Sequence, residues 1–400
     1  MSAFILWIAA VLALALLWWA FRRKPGHAAA ATQRSSVVPD ATIGQAPSGP
    51  RASQVPAAPP VCELSPSVGW ATAPEPPAAL SRLVWRQPED LEVSRREQLV
   101  QAIRGIPRPP RSLQQLISPD FVAKADSTQL ADLVMAEPLI AAKVLGAVNS
   151  SRYGLEKPIA HLGQAVTFLG MNSVRSICLQ YMLAEAFKPG LASAQKAFDT
   201  LWASCGRASE LAVHLGKAMN LPQQAGLATQ VVLGFVGQLA AASLLPANRL
   251  QHWLEADRVG RTELEQELLG LNASELGQLL MQNWSLPAAL IADVGASGRV
   301  LVTPAGQVDT TRVPTLGLAY LCAHLGEHPA DARTEDHTQL MQGVTGRADT
   351  HHLAGYLNHP ALSRLPAGLL SVEVQACLAQ SLQAQSSSPP QPTQAEVAVA

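Results

Sequence analysis

The chain has 400 residues, and its 29 Lys plus Arg residues nearly balance its 30 Asp plus Glu residues. This balance leaves no basic excess of the kind that favours nucleic-acid binding. Hydrophobic residues make up 48% of the chain and aromatic residues only 5%, and the abundance of Ala and Leu favours helices over sheets. The five cysteines include no C-x-x-C pair, so a zinc or redox motif of that kind has no support.

An unbroken apolar run at residues 3–21 opens the chain. As a helix it would be about 28 Å long, close to the thickness of the hydrocarbon core of a bilayer. Two tryptophans lie near its end and three basic residues follow at 22–24, whereas no basic side chain precedes it. This arrangement predicts an uncleaved transmembrane anchor over residues 1–24, rather than a signal peptide, with the remainder of the chain in the cytoplasm.

A segment rich in proline and alanine follows at residues 25–89. It has no sustained apolar period and cannot bury enough surface to offset its ordering entropy, so we predict a disordered linker. The short apolar patch at 80–85 either docks on the following domain or forms a transient cluster, and the sequence leaves both open. The stretch at 383–400 has a similar composition and is predicted to be a disordered tail.

Helix signals dominate from residue 90 to residue 382, which predicts an all-α fold. Leu130, Leu133 and Val134 form an i, i+3, i+4 stripe, and Ser127 is placed to cap the helix that carries it. Pro138 can open the next helix, since proline is tolerated at the first helical position.

Further helices follow a glycine at position 170. Gly170 is predicted to end one helix, and Asn172 or Ser173 to cap another that runs to about residue 187. A long helix is expected over residues 197–219.

The apolar stretch 231–245 contains no charged residue. It lies between Pro222 and Pro246, and no cluster of charges or belt of aromatic residues flanks it. Fifteen residues are few for a membrane span, so we predict a buried central helix of the domain.

Three stretches of this region resemble the HDOD domain of bacterial signalling proteins. The first is IRGIPRPPRSLQQLI at 103–117. The other two are the runs E-P-x-I-x-x-K-x-L-x-x-x-N-S-x-x-Y-G at 137–154 and P-I-x-x-L-x-x-A-V-x-x-L-G at 158–170. The resemblance covers about residues 98–300, so we predict an HDOD domain over 90–300, with additional helices at 301–382 packed on it.

The resemblance implies an all-helical relative of the HD phosphohydrolases, which bind metal ions through histidine and aspartate side chains. In this chain the matching positions hold other residues. Ser204 follows Trp202 in place of the first histidine, and the metal-binding His-Asp pair is replaced by Gly234 and Phe235. A later Asp-His pair is replaced by Asn272 and Ala273. The loss of these ligands predicts no bound metal, no cofactor and no catalysis, because coordination geometry sets both affinity and water activation.

The most specific residues of the resemblance are predicted to be structural rather than catalytic. Asn and Ser side chains can satisfy free backbone groups where a helix turns into a loop, and Gly can adopt a positive φ there. The set consists of Asn149, Ser150, Tyr153, Gly154, Pro158 and Gly170.

The histidines near the C-terminal end could provide a second site. His324 and His328 are one helical turn apart, but the stretch lacks the H-E-x-x-H arrangement, so we expect residues on a polar surface. His351 and His352 are likewise expected in a solvated loop or helix end.

Together these features predict a non-enzymatic signalling scaffold or output domain, held at the bacterial inner membrane by its N-terminal helix and binding protein partners. Two alternatives remain open. One is a metal-dependent phosphohydrolase with a relocated site around His324, His328 and His351. The other is a sensor that binds a nucleotide in the emptied metal cavity without cleaving it.

Overall fold

The computed structural model describes residue 70 and residues 75–150, 153–187, 192–221 and 224–386. The predicted anchor at 1–24, most of the predicted linker and residues 387–400 of the predicted tail lie outside the described residues. Within these described ranges all regular secondary structure is helical and no strand occurs. The predicted all-α fold is confirmed for this part of the chain.

The first nine helices lead from the linker into the centre of the molecule. They are α1 Ala78–Arg82, α2 Val93–Arg104, α3 Arg111–Leu116, α4 Pro119–Lys124, α5 Ser127–Met135, α6 Pro138–Val148, α7 Leu162–Leu169, α8 Met171–Ala186 and α9 Ala192–Met219.

The remaining helices complete the body of the protein. They are α10 Gln224–Leu244, α11 Ala247–Glu255, α12 Arg258–Leu268, α13 Ala273–Asn283, α14 Ala288–Gly298, α15 Val313–Glu327, α16 His337–Thr345, α17 Leu353–Leu357, α18 Leu365–Leu369 and α19 Val372–Ser386.

Helices α9 and α10 pack along each other at the centre, and α13, α14 and α15 cover them. Helix α10 contains the apolar stretch singled out in the sequence, and Val232, Phe235 and Leu239 are at most 1% exposed. Residues Gly226–Leu244 are long and apolar enough to cross a membrane, but 78% of the most apolar window is buried inside the protein. The prediction of a buried central helix is therefore confirmed.

Two glycines allow α10 and α13 to cross with their backbones in contact. A Cβ atom at Gly237 would lie 1.9 Å from the carbonyl oxygen of Ala273, and one at Gly277 would lie 3.0 Å from the Cα of Gly237. Real Cβ atoms do not come as close as 1.9 Å to another heavy atom. The crossing therefore requires glycine at position 237, and it holds α13 close to the middle of α10.

Two helix starts differ from the predictions. Asp126, rather than Ser127, caps α5: its carboxylate accepts the N–H of Gln129, and the Gln129 side chain accepts the N–H of Asp126. This reciprocal pair satisfies two backbone N–H groups, whereas the hydroxyl of Ser127 alone would satisfy one. Gly170, with φ of 83°, joins α7 directly to α8 and occupies the N-cap position of α8. Neither Asn172 nor Ser173 therefore caps this helix.

Residues 75–92, which we call the strap, lie against the helical body. The predicted linker extended to residue 89, but Leu80 is 6% exposed and α1 contacts the turn at 348–350. Farther upstream, Trp70 is 5% exposed, and its backbone N–H and C=O both pair with the side chain of Asn358. The boundary therefore moves toward the N-terminus, because these apolar side chains find partners on the domain.

The helices after residue 300 belong to the same compact unit as the helices before it. Helix α15 packs along α9, where a Cβ atom at Gly326 would lie 2.6 Å from the carbonyl oxygen of Ser204. Helix α19 packs on α9 and continues to Ser386. The disordered tail predicted from residue 383 therefore begins at least four residues too early.

Candidate functional site

A cavity of about 110 Å³ lies beside α10, enclosed by α12, α13, α14 and α15. Four of the five positions that correspond to metal ligands in the HD enzymes line it: Gly234, Phe235, Asn272 and Ala273. The fifth, Ser204, is buried on α9, where its Oγ accepts a hydrogen bond of 3.1 Å from Arg207. The structure thus brings four of the predicted positions together and leaves Ser204 apart from the lining.

The side chains at these positions serve the fold. Phe235 is 1% exposed and is part of the core. Asn272 caps α13, because its Oδ1 accepts the N–H of Glu275 at 3.1 Å. Ala273 contributes its backbone N–H, which donates to Glu265 at 2.6 Å. Because Gly234 has no side chain, none of the four offers a free ligand atom to a metal ion.

The charged groups around the cavity are paired with one another. Glu327 accepts hydrogen bonds from Arg258 at 3.0 Å, from Arg261 at 3.1 Å and from Gln238 at 2.8 Å. Burial alone would raise the pKa of Glu327, but the two guanidinium groups outweigh burial and lower it to about 2. This carboxylate is ionised and fully bound by cationic and amide donors.

A second buried carboxylate, Glu265, has a different environment. Its Oε1 accepts the indole N–H of Trp253 at 2.8 Å, and its Oε2 accepts the N–H of Ala273. Burial raises the pKa of Glu265 to about 7, although these donors and Arg261 act in the opposite direction. Glu265 therefore titrates near neutral pH inside the protein.

This network was not predicted, although the sequence contains a signal for part of it. Arg258, Arg261 and Glu265 follow an i, i+3, i+7 spacing and therefore lie on one face of α12. Such a spacing also fits a solvated face, so it does not reveal burial. The partner Glu327 is more than sixty residues away in the chain, which no local pattern indicates.

The residues around the cavity do not fit a metal centre of the HD type. The carboxylates of Glu265 and Glu327 are already held by N–H donors and guanidinium groups. In the described part of the chain, no group of three or more His, Cys, Asp or Glu side chains is placed to hold a metal ion. The cavity is also smaller than the roughly 300–1,000 Å³ of typical small-molecule pockets, which disfavours a nucleotide.

The prediction that His324 is a surface residue is wrong. It is fully buried, its Nε2 lies 2.9 Å from Asp331, and its ring stacks on that of His328 at 5.0 Å. Helix α15 is covered by α9, α10 and α17, so a polar side chain on its inner face must find an internal partner. Burial lowers the pKa of His328, which is only partly exposed.

His351 and His352 were expected in a solvated region, and both are partly buried. Their rings contact each other edge to face at 4.9 Å. Burial lowers the pKa of His352. Among the described residues, these histidines belong to no group of three or more potential ligands that could hold a metal ion.

The asparagine and serine of the HDOD-like run bond to the backbone. The Asn149 amide donates to the carbonyls of Leu145 and Ile159, and its oxygen accepts the N–H of Ile159 at 2.7 Å. Ser150 donates to the carbonyl of Ala147 at 2.7 Å. These contacts end α6 and fix the loop after it, which is a structural role.

The other motif residues shape the same loop region. Gly154 and Gly170 have positive φ angles of 55° and 83°, a conformation that favours glycine. Pro158 is exposed, and Tyr153 contacts Phe168 edge to face at 6.3 Å. Tyr153 and Phe168 also line a surface groove of about 830 Å³ between α8 and α9.

An all-helical body with the HD frame and with other residues at the ligand positions defines a domain of the HD-like class. Residues 106–298 match the family model of the HDOD domain, which confirms the resemblance to HDOD domains over this region. None of the curated proteins matches the chain.

Solved structures of similar proteins cover most of the described helical body. One is an HDOD domain protein of unknown function from Geobacter sulfurreducens, with 16% identity, coverage of 71% of this chain and 98% of that chain, and a TM-score of 0.46. A candidate phosphohydrolase from Shewanella amazonensis has 20% identity, coverage of 70% and 97%, and a TM-score of 0.46. The MmoQ response regulator from Methylococcus capsulatus has 20% identity, coverage of 62% and 93%, and a TM-score of 0.33.

Proposed function

We propose that this protein is a non-enzymatic signalling module that is tethered to the bacterial inner membrane and binds protein partners. The observation that carries the proposal is the chemistry around the cavity of α10. Glycine, phenylalanine, a capping asparagine and alanine stand where the enzymes have metal ligands. The nearby carboxylates are bound by arginines and N–H donors, so the domain keeps the frame without the means to activate water.

Two further features support the signalling context. The match of residues 106–298 to the HDOD domain supports a role in bacterial signalling, and the apolar run at 3–21 with its basic flank supports recruitment to a membrane. The proposed topology has the N-terminus outside and the helical domain in the cytoplasm.

A surface suited to a protein partner lies along the groove between α8 and α9. Phe168 at its edge is 51% exposed, so an apolar ring is accessible to a partner at this groove. Tyr153, Tyr181 and Trp202 line the same groove beside polar groups. Aromatic side chains next to polar groups are enriched at protein interfaces.

The experiment is crosslinking in membranes, followed by capture of the full chain and identification of the attached proteins. We expect a specific partner with the wild type and a loss of about tenfold or more with Phe168→Asp, which places a charge in an apolar contact. Val372→Asp changes an apolar residue that is 81% exposed elsewhere and should retain the partner. Failure of the wild type to capture any specific partner would contradict the proposal.

The enzyme alternative has a separate test. Purified chain should contain no stoichiometric manganese, iron or zinc and should not hydrolyse phosphoesters. Turnover that depends on a bound metal ion would revive the phosphohydrolase, with its site elsewhere than at the cavity of α10.

A further inference from the structure

The middle of the strap is non-helical, contributes Trp85 to the cavity lining and is held through its main chain. The Gln266 side chain donates to the carbonyl of Val84 at 2.9 Å and accepts the N–H of Arg86 at 2.7 Å. One amide therefore pairs with the backbone on both sides of Trp85. Because these two hydrogen bonds are made to the main chain, they select an extended segment and depend little on its sequence. They exclude proline at the position after the central residue, because proline has no N–H.

The side chain between these two contacts adds a requirement for tryptophan. The indole N–H of Trp85 donates to Glu275 Oε1 at 2.8 Å, and Arg299 donates to the same oxygen at 2.8 Å. The Arg299 guanidinium also lies 6.0 Å from the Trp85 ring centre. A phenylalanine could fill the space, but it would leave Glu275, whose side chain is 6% exposed, without one of its donors.

The strap is attached in a way that permits release. Val84 is 70% exposed and Arg86 is exposed, and Trp85 packs against the core but remains only partly buried. The polar contacts of this part of the strap come from Gln266, Glu275 and Arg299, which are already fixed on α12, α13 and the end of α14. These residues would remain in place, as a preformed site, after the strap had left.

We propose that Gln266, Glu275 and Arg299 form a peptide-binding site for an extended, tryptophan-bearing segment of a partner protein, and that the strap occupies this site in cis. The inference rests on the proposed function and names the segment of the partner that the domain recognises. Because the strap is covalently attached, it competes at a high effective concentration, and an incoming segment binds only when the strap is released.

The test uses the full chain in detergent and a fluorescent peptide with the sequence of residues 80–91. Trp85→Ala weakens the strap and leaves the site intact, so this variant should bind the peptide at least about tenfold more tightly than the wild type. Adding Gln266→Ala should abolish that gain. Unfolding midpoints of both variants show whether the domain remains folded.

Two altered peptides test the same contacts without changing the protein. A peptide with Trp85→Phe lacks the indole N–H. One with Arg86→Pro lacks both the N–H that Gln266 accepts and the guanidinium that donates to the Gln266 carbonyl at 3.2 Å. Each should bind the Trp85→Ala chain about tenfold more weakly than the parent peptide. Equal binding of all three peptides, or no binding of the parent peptide, overturns the proposal.

The occupant could instead be the strap of a second copy, and light scattering separates the two cases. A wild-type chain that is monomeric with or without peptide supports a cis strap. A dimer that the peptide dissociates would show that copies exchange straps, and would overturn the assignment to a partner protein. The proposed function fails independently, in the crosslinking experiment, so the two failures are distinguishable.

Discussion

Two buried glutamates, Glu265 in the cavity lining and Glu327 bonded to arginines of that lining, have opposite pKa shifts because their hydrogen-bond partners differ. Glu327 faces two guanidinium groups, which lower its pKa to about 2, whereas Glu265 is held mainly by neutral N–H donors and burial raises its pKa to about 7. The two residues therefore contribute to stability in different pH ranges and with opposite sign.

The pKa of Glu265 is raised from 4.5 to about 7 on folding. Its contribution to stability is therefore complete below about pH 4.5 and is lost as the pH rises to about 7, by roughly 3 kcal/mol. Glu265→Gln should remove this slope from the free energy of unfolding, measured in urea across pH 4.5–7.5. Glu263→Gln, an exposed change on the same helix, should retain it, and an unchanged slope in Glu265→Gln would contradict the assignment.

Replacement of Glu327 should be costly at neutral pH. Glu327→Gln leaves Arg258 and Arg261 buried without their anion, for which we expect a loss of about 3–5 kcal/mol in unfolding free energy. Asp293→Asn removes the partner of Arg312 in a pair whose side chains are both 43% exposed, and this should cost less than about 1 kcal/mol. Similar losses of unfolding free energy in the two variants would contradict the expectation that the buried ion pairs of Glu327 matter more than the exposed pair of Asp293.

At the scale of helices, the geometry of the cavity depends on the close crossing of α10 and α13. Gly237 permits this crossing, because any larger residue would collide with the carbonyl of Ala273. The crossing places Ala273 and Asn272 next to Gly234 and Phe235 along one cavity wall. A change at the crossing should therefore affect the whole domain, whereas a change at Gly234 should remain local.

Gly237→Ala and Gly234→Ala form a matched pair on one helix. The first introduces a methyl group 1.9 Å from a backbone oxygen and should destabilise the protein by about 3 kcal/mol or more. The second meets no atom within 4 Å and should stabilise the helix by up to about 1 kcal/mol, because alanine is the better helix former. Urea midpoints measure both effects, and equal midpoints would contradict the described crossing.

At the scale of the whole molecule, the strap joins the N-terminal part of the described chain to the cavity, because Trp85 is part of the cavity lining. The contacts of Gln266 and Glu275 with the strap join residues that are 180 and 190 positions apart in the sequence. The first residues of the body and the helices beyond residue 300 therefore contribute to one compact unit.

The predicted anchor gives a direct test of location. Removal of residues 2–24 should move the protein from the membrane fraction to the soluble fraction, because nineteen apolar residues at 3–21 are lost. A reporter enzyme that is active only in the periplasm, fused to the C-terminus of the full chain, should remain inactive. Activity of that reporter would reverse the proposed orientation.

Local patterns in the sequence determined the helical class, the buried character of 231–245 and the identity of the residues at the former ligand positions. Each of these features depends on residues within a few helical turns, such as the helix-breaking prolines on either side of 231–245 and the apolar stripe of α5. Sequence patterns placed the cap of α5 one residue late, because Asp126 and Ser127 are both good capping residues and only the reciprocal pair with Gln129 distinguishes them.

Only the tertiary structure decided which polar residues are buried and what they meet. His324 looks like a surface residue on its own helix, yet α9, α10 and α17 enclose that helix. The pairing of Glu327 with Arg258 and Arg261, and of Trp85 with Glu275, joins residues that are distant in the chain. The physical reason is that burial and charge pairing depend on how whole helices pack, which is not a property of the sequence near any one residue.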